Sequence, residues 1–501
     1  MMPVERTREI GRRIASNASI LLCTDILGKL TQAVFVVVVA RTLGVQRYGV
    51  YTLAFTVFFF FEFLAQFGMR PMAVREIARN RDQAERLAGG ILILLLGGAF
   101  LVYGLLLLAL PFVNYEPEVK AVIYLLALTL FPHAVSHTFT VTSYGFERMK
   151  LPSIISIASG LTFSSLGILV LYLGGGLPGV VGVLVAVGVG EGLVAGWLML
   201  RNLPGSRLTL DPPLWWELIK QSLPFGVLGL LMLIHSKVDV FMLSLMQGPL
   251  DGLVAIGYYM PAYSILGAFM LLPQHLRMAM VPALASRGDS IQVMRSTLEG
   301  STKFLFAFLS FPMIIATTFC AQDIVTLVFG ESYLPTADAL RILGWAYAFV
   351  AATTPAFAAL VTSRRLGRYV PWAIGIVLVN VLLNLVLIPS YSFVGAAVAT
   401  LITETISWLL RLYLLRQIVG IEFSDVRILF SLLPPMGITF ATVLIAYFLY
   451  QPHIPVVALL AAGVYVPALF VFKAFTVEDF SFLTPAWSRL WPARTPPGEK
   501  A

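Results

Sequence analysis

Charge and cysteine are both scarce in this sequence. Asp, Glu, Lys and Arg make up 12% of the 501 residues, which is about half the share found in a soluble domain. The two cysteines, Cys23 and Cys320, lie in separate apolar runs. The low charge excludes an ordinary water-soluble globular protein, and two such cysteines cannot form a disulfide framework.

Sequence signatures of catalysis are missing as well. There is no P-loop, no HExxH and no CxxC, so the local motifs for a nucleotide or a catalytic zinc ion are absent. The connections between apolar runs are short, which speaks against a membrane-embedded polymerase or glycosyltransferase with a large external loop. Gly188, Gly192 and Gly196 recur every four residues, a pattern that predicts close helix packing. We therefore expect a protein that is not an enzyme and needs no cofactor.

Long apolar runs are abundant. Hydrophobic residues make up 58% of the chain, and the mean hydropathy is +0.88. A membrane-spanning helix needs about 20 mostly apolar residues, and on that criterion we predict an all-α, polytopic membrane protein with about fourteen spanning helices. They cover 17–40, 50–68, 87–112, 119–143, 153–173, 179–200, 218–247, 252–282, 301–329, 335–362, 370–390, 394–415, 429–451 and 453–474.

Basic residues alternate between the predicted connections. Most lie in one set of loops, whereas the other set holds only Arg41, Arg47, Lys120 and Arg341. Because Lys and Arg concentrate in cytoplasmic loops, the alternation predicts an even number of spans with both termini in the cytoplasm. We expect the protein in the cell membrane. The formal net charge of +8 is then a topology signal and does not indicate nucleic-acid binding.

An internal repeat divides the chain. YGVY at 48–51 recurs as IGYY at 256–259, an offset of 208 residues (48 to 256). NYEPEV from 114 matches SYLPTA from 332, and VGVLVAVGVGE from 181 matches VGAAVATLITE from 394. Ordered matches of this kind predict two copies of one unit. We predict a six-helix lobe over 1–200, a linker at 201–217, a second six-helix lobe over 218–416, and two further helices with a tail at 417–501.

Three stretches carry a family resemblance. The chain resembles the polysaccharide biosynthesis (oligosaccharide flippase) family in ARTLGVQRYGVYTLAFTV at 40–57, KVDVFMLSLMQG…AIGYYMPAYSIL at 237–266 and VGAAVATLITETISWLLRLYLLR at 394–416. That family is part of the multidrug/oligosaccharidyl-lipid/polysaccharide exporter superfamily. The resemblance implies two lobes around a central cavity and the transfer of a polyprenyl-linked oligosaccharide to the outer leaflet. It also implies a glycan polymerase or glycosyltransferases of the same pathway as partners.

Cations at membrane depth are the candidate ligands for such a substrate, because its phosphate or pyrophosphate is anionic. Lys29 and Lys237 lie in the first predicted helix of each lobe, and we expect both to face the cavity. His235 lies two residues from Lys237. The remaining candidates lie at helix ends, where they contact either substrate or the lipid interface: Arg41, Arg47 and Arg70.

Three carboxylates lie near the same helices: Asp25, Glu62 and Asp239. A charged side chain in a spanning segment is costly and marks a functional site, so these residues are candidates for cation coupling or gating. A structural salt bridge explains them equally well. Asp25, for example, lies four residues from Lys29, a spacing at which side chains on a helix meet.

Histidines recur at a spacing that suits a metal ion. His133 and His137 lie four residues apart, as do His235 and Asp239. A tetrahedral zinc site needs a third or fourth ligand, which neither pair supplies. We therefore predict no metal site and expect histidines that are hydrogen-bonded or face a cavity.

A cation-coupled exporter of drugs or small solutes, with the same fold, is the alternative function. A cavity dominated by cations favours an anionic lipid-linked substrate, whereas one dominated by carboxylates favours cationic drugs. The charges near the predicted cavity are two lysines and three carboxylates, and this mixture leaves both functions open.

Overall fold

The structure is a computed structural model that describes residues 2–202, 211–286, 291–362, 369–419, 430–450 and 453–475. It describes the backbone alone at 2–25, 202, 279, 282–286, 291–293, 296, 418 and 419. Within these ranges the chain is helical apart from short connections and contains no β-strand, which confirms the all-α prediction. The helices are α1 (Met2–Gln66), α2 (Met69–Arg79), α3 (Ala84–Ala109), α4 (Pro117–Ala127), α5 (Leu130–Gly145), α6 (Lys150–Tyr172), α7 (Gly176–Asn202), α8 (Pro212–Met246), α9 (Pro249–Phe269), α10 (Leu271–Ser286), α11 (Ile291–Leu305), α12 (Phe311–Phe319), α13 (Ala321–Phe329), α14 (Thr336–Ala352), α15 (Thr354–Thr362), α16 (Val370–Leu414), α17 (Leu433–Tyr450) and α18 (Ile454–Val471).

The described helices are those of a multi-pass membrane protein. Eleven helical segments are long and apolar enough to cross a membrane, and twelve if the bent pair α14–α15 is one span. Large apolar side chains lie on the outside, among them Leu108, Leu459 and Phe470, which are 70%, 74% and 78% exposed. Lipid contact removes the cost of about 1.5–3 kcal/mol that each would incur in water. The predicted count of fourteen is close to this number and stays a prediction.

α1 and α16 are each too long for a single span. α1 has 65 residues, or roughly 98 Å at about 1.5 Å per residue, about three times the thickness of the hydrocarbon core. Non-helical dihedrals interrupt it at Gly44 (φ 74°, ψ 173°). Glycine adopts this positive φ without a side-chain clash, so the chain turns there, between the predicted spans 17–40 and 50–68.

α16 reverses direction in the same way at Ser392 (φ 51°, ψ −133°). A β-carbon on Gly395 would overlap the carbonyl oxygen of Leu387. In a continuous helix those two residues would lie about 12 Å apart. The two parts of α16 therefore fold back on each other, as expected for the predicted spans 370–390 and 394–415.

The chain forms two compact units. Unit 1 comprises Met1–Ser264, Val328–Tyr333 and Asn380–Ala396, and unit 2 comprises Ile265–Leu327, Leu334–Val379 and Ala397–Ala501. The lobe boundaries at 1–200 and 218–416 remain predictions.

The core of unit 1 lies between α2, α3, α5 and α8. Met72, Ile77 and Ile91 are fully buried in it, and Leu218 is 1% exposed. The start of α8 is fixed by Asp211, which accepts a hydrogen bond from the Leu214 amide and pairs with Arg86 of α3. The Arg86 guanidinium holds the pKa of Asp211 below its ordinary value, which keeps this cap ionised.

The glycine face of α7 packs on α5, as predicted. A β-carbon on Gly192 would lie 2.8 Å from Pro132, and one on Gly196 would lie 3.3 Å from Val135. Only a residue without a side chain lets the two helices approach this closely.

Unit 2 has an aromatic core. The rings of Phe311 in α12 and Tyr465 in α18 are 4.8 Å apart, and the Tyr465 hydroxyl donates to the Ala307 carbonyl at 3.1 Å. Phe319 packs against Phe440 of α17 at 5.2 Å. α17 and α18 are thereby attached to α12.

Two tyrosines tie connections of unit 1 to distant helices. Tyr333 donates to the carbonyl oxygen of Ala40 at 2.7 Å, and the hydroxyl of Tyr115 lies 3.0 Å from Ser244 Oγ. Tyr115 and Tyr333 come from the matching segments NYEPEV and SYLPTA. Tyr333 thus reaches α1, and Tyr115 reaches α8.

α1 and α9 cross in backbone contact within unit 1. A β-carbon on Gly49 would overlap the carbonyl oxygen of Leu253, and one on Gly257 would overlap that of Val45. Both pairs of equivalent residues, Val45 with Leu253 and Gly49 with Gly257, are separated by the offset found between YGVY and IGYY. The contact is reciprocal, because each glycine meets the carbonyl oxygen of the residue four positions before the other glycine.

We expect Gly49→Ala and Gly257→Ala to destabilise the protein, because each added methyl group must separate two helix backbones. Overpacking of this kind typically costs about 1–3 kcal/mol. Gly97→Ala in α3 is the matched control, since nothing lies within 4 Å of a β-carbon there. Thermal unfolding in detergent should give a lower melting temperature for both crossing variants only. Equal melting temperatures for all three variants would show that the crossing does not stabilise the fold.

Candidate functional site

Glu62, His133 and His137 meet inside unit 1. Glu62 lies near the C-terminal end of α1, and the two histidines lie one turn apart on one face of α5. Glu62 Oε1 is 2.8 Å from His133 Nδ1 and 3.6 Å from His137 Nε2. The Gln66 amide nitrogen is 3.5 Å from the same oxygen. The three ionisable side chains are 15–25% exposed. The Glu62 carboxylate is therefore mostly buried and lies beside two imidazoles.

A small void borders this cluster. It measures about 10 Å³ and is lined by Glu62, Ala65, Gln66, Leu95, Leu130, His133 and Ala134. That volume is close to the minimum that holds one water molecule. Glu191 of α7 interacts electrostatically with His133, and a β-carbon on Gly188 would lie only 3.7 Å from His133 Nε2.

Asp239 is the centre of a second polar cluster in unit 1. Its carboxylate is nearly buried, with the residue 4% exposed. It accepts hydrogen bonds from the hydroxyls of Tyr259 and Tyr263 in α9, at 2.7 and 3.0 Å, and from the Val240 amide at 2.9 Å. A buried carboxylate is costly unless it is hydrogen-bonded, and these donors meet that need. Half-buried Lys237 interacts electrostatically with the same carboxylate.

The two clusters lie on neighbouring helices. The rings of Phe60 in α1 and Phe241 in α8 are 5.5 Å apart, and each is two residues from the carboxylate of its own helix. A β-carbon on Gly229 of α8 would contact the Phe63 ring at 2.6 Å. α1 and α8 therefore pack together along the stretch that carries Glu62 and Asp239.

The other predicted residues differ in their exposure. Lys29 and His235 are half-buried in α1 and α8. Arg41 is exposed, and its Nε donates to the Val328 carbonyl at 2.9 Å. The remaining arginines are also exposed: Arg47 and Arg70. The side chain of Asp25 lies outside the described residues.

Unit 2 contains a cationic cluster that the sequence did not reveal. The guanidinium groups of Arg277 in α10 and Arg411 in α16 each lie 5.7 Å from the centre of the Phe357 ring. Arg411 also donates to Thr353 Oγ1 at 2.8 Å and lies 3.9 Å from Glu404. A count of basic residues along the sequence does not show which of them stack on an aromatic ring.

The sequence predicted only part of the histidine cluster. The spacing of His133 and His137 placed them on one face of α5, but nothing local connects them to Glu62, which is 71 residues away. The tyrosine partners of Asp239 had a weak signal. Tyr259 and Tyr263 lie one turn apart, in the stretch that carries the family resemblance.

The family comparison gives a match over more than half of the chain. Residues 14–287 match the family described as "Polysaccharide biosynthesis protein". No curated protein is similar enough to the chain to count as a relative.

Solved structures share the fold. The lipid II flippase MurJ in an inward closed conformation has a TM-score of 0.73 at 14% identity, over 91% of this chain and 99% of that chain. An inward-facing multidrug resistance MATE family transporter of the MOP superfamily has a TM-score of 0.56 at 14% identity, over 78% and 96%. The eukaryotic MATE transporter AtDTX14 has a TM-score of 0.55 at 16% identity, over 82% and 95%. At these identities the likeness shows the fold alone, which the chain shares with these three proteins.

We expect Tyr259→Phe to lower stability, because it removes a hydroxyl donor from a nearly buried carboxylate. Loss of such a hydrogen bond costs about 1–3 kcal/mol. Tyr391→Phe is the control, since Tyr391 is 63% exposed. Melting temperatures in detergent should fall for Tyr259→Phe alone. If both variants have the melting temperature of the wild type, the tyrosine pair does not stabilise Asp239.

Proposed function

Because the chain belongs to the polysaccharide biosynthesis protein family, we propose that it moves a polyprenyl-linked oligosaccharide from the cytoplasmic to the outer leaflet of the cell membrane. The family match over residues 14–287 is the observation that carries this proposal. The fold supports it, since a protein named as a lipid II flippase has the same architecture. The protein then acts as a transporter by alternating access and not as an enzyme. A glycan polymerase or glycosyltransferases of the same pathway are its partners.

The substrate headgroup sets the requirements of the binding site. A phosphate or pyrophosphate that leaves water needs a counter-charge, because an isolated ion is very costly in a medium of low dielectric constant. We assign this role to Lys29 and Lys237, both half-buried in helices of unit 1. Further contacts to the headgroup come from His235 and from three exposed arginines, Arg41, Arg47 and Arg70.

Carboxylates near these cations serve in coupling or gating. Asp239 interacts with Lys237 and so offers a counter-charge when no phosphate is bound. The hydroxyls of Tyr259 and Tyr263 stabilise Asp239, so Lys237 can transfer its interaction to substrate without leaving an unpaired carboxylate. Asp25 and Glu62 belong to the same proposed group.

A cation-coupled exporter of drugs or small solutes is the second candidate. Glu62 and Asp239 favour it, because they place two carboxylates inside unit 1, and carboxylates suit cationic solutes. Two assays distinguish these functions when the protein is expressed in each strain. One measures surface-glycan export in a strain that lacks its flippase, and the other measures drug accumulation in a strain that lacks its exporters. The proposed function requires rescue in the first strain.

We expect Lys29→Gln and Lys237→Gln to abolish glycan export at normal protein abundance. Gln keeps a polar side chain and loses the charge that the phosphate requires. Lys→Arg at either position should retain part of the activity, because the charge remains although its geometry differs. Lys220→Gln is the matched control, since Lys220 is an exposed residue of the same helix as Lys237. The measurement is complementation in the flippase-deficient strain, with immunoblots of the membrane fraction.

Two outcomes would contradict this assignment. Normal export by both Gln variants would show that the lysines do not bind the phosphate. Loss of the variants from the membrane would show that the lysines act in folding. Lys→Ala variants test the second outcome again, because they lack the hydrogen bonds that Gln can form.

The proposed orientation has its own test. Reporter fusions after His453 should lie on the outer face of the membrane, and fusions after Lys500 should lie in the cytoplasm. His453 connects α17 to α18, so one span separates the two fusion points. Activity of a periplasmic reporter fused after Lys500, or of a cytoplasmic reporter fused after His453, would show that the orientation is the opposite of the proposed one.

A further inference from the structure

We propose that Glu62, His133 and His137 form a binding site for a divalent transition metal of the zinc class. One ligand atom from each residue lies within 4.8 Å of the others. The site joins the second part of α1 to α5. It shares Glu62 with the coupling or gating group of the proposed function. Metal binding is measured on purified protein without transport, so a failure of this inference and a failure of the proposed function are distinguishable.

The geometry is close to that of a bound ion. Metal–ligand distances of about 2.0–2.1 Å in a tetrahedron place neighbouring ligand atoms about 3.4 Å apart. The distances from Glu62 Oε1 to His133 Nδ1 and to His137 Nε2, 2.8 and 3.6 Å, lie on either side of that value. Both imidazole nitrogens lie near the same carboxylate oxygen, and all three ligand atoms are within 4.8 Å of one another.

The donor set selects the kind of metal. Two imidazole nitrogens and one carboxylate oxygen are a common zinc set with an open fourth position, and imidazole suits zinc, copper and nickel. Calcium and magnesium prefer oxygen donors. The third ligand that the histidine spacing lacked is therefore supplied by Glu62 of another helix.

The surroundings complete the coordination and the charge. The void of about 10 Å³ beside Glu62 and His133 has room for one water molecule, which is the fourth ligand expected of such a site. The Gln66 side chain lines that void and can hydrogen-bond the water. Glu191, which interacts with His133, adds a second negative charge. Together with Glu62 it balances a dication that is bound by neutral histidines.

Spectroscopy with cobalt tests the site directly. Full-length protein without an affinity tag, purified in detergent and stripped with EDTA, is titrated with Co²⁺ and then with Zn²⁺. We expect one Co²⁺ per chain with the intense visible absorption of tetrahedral coordination, and loss of that absorption as Zn²⁺ displaces it. Zn²⁺ should also raise the melting temperature, because it binds the folded state.

Ligand variants locate the ion. His137→Gln and Glu62→Gln should each weaken Zn²⁺ binding by at least about tenfold, the lower limit seen even for residues that only support a metal ligand. Each should also abolish the shift in melting temperature. His453→Gln is the matched control, since that exposed histidine lies outside the cluster. If Glu62→Gln fails to fold, His137→Gln decides alone, because its side chain is the most exposed of the three at 25%.

Three results would overturn the inference. They are the absence of tetrahedral Co²⁺ absorption in the wild type, unchanged Zn²⁺ affinity in His137→Gln, and an equal loss of affinity in His453→Gln. The last two would place the ion elsewhere on the chain.

Discussion

The backbone contact between α1 and α9 is the constraint on which unit 1 depends. Lipid chains are as apolar as leucine, so helices in a bilayer associate through close packing and not through the hydrophobic effect. Gly49 and Gly257 allow that packing in both directions of one crossing. Tyr259 lies two residues beyond Gly257, so the crossing that fixes α9 also fixes the hydroxyl that binds Asp239. The geometry of the polar interior thus follows from two residues that have no side chain.

The polar groups of unit 1 in turn determine which helices pair. Glu62 takes its partners from α5, and Asp239 takes its partners from α9. A shift of either helix by one turn would move these donors by about 5.4 Å and leave a carboxylate without those partners. Apolar packing alone tolerates such shifts more easily. After a one-turn shift, one apolar side chain takes the place of another of similar size at little cost. The carboxylates therefore specify register as well as chemistry.

The sequence predicted features that repeat and missed those that join distant segments. Hydropathy is periodic along the chain, so the spans, the turns near Gly44 and Ser392 and the glycine face of α7 were all predictable. The offset between YGVY and IGYY also separates the two glycines of the reciprocal crossing, but the offset did not predict that the two helices would meet. The pairing of Glu62 with His133 depends on how α1 meets α5, and helical periodicity gives only the face of each residue. Arg277 and Arg411 show the same limit, because their stacking on Phe357 depends on side-chain direction at the end of a span.

The contacts of α1 with segments that are synthesised much later have a consequence for biosynthesis. Gly49 leaves the ribosome 208 residues before Gly257, a delay of roughly 10–40 s at about 5–20 residues per second. Ala40 waits still longer for the hydroxyl of Tyr333. During that interval the first helices are in the bilayer with a backbone surface shaped for a partner that has not been made. Until α9 is made, that surface of α1 contacts lipid or other membrane proteins in place of α9.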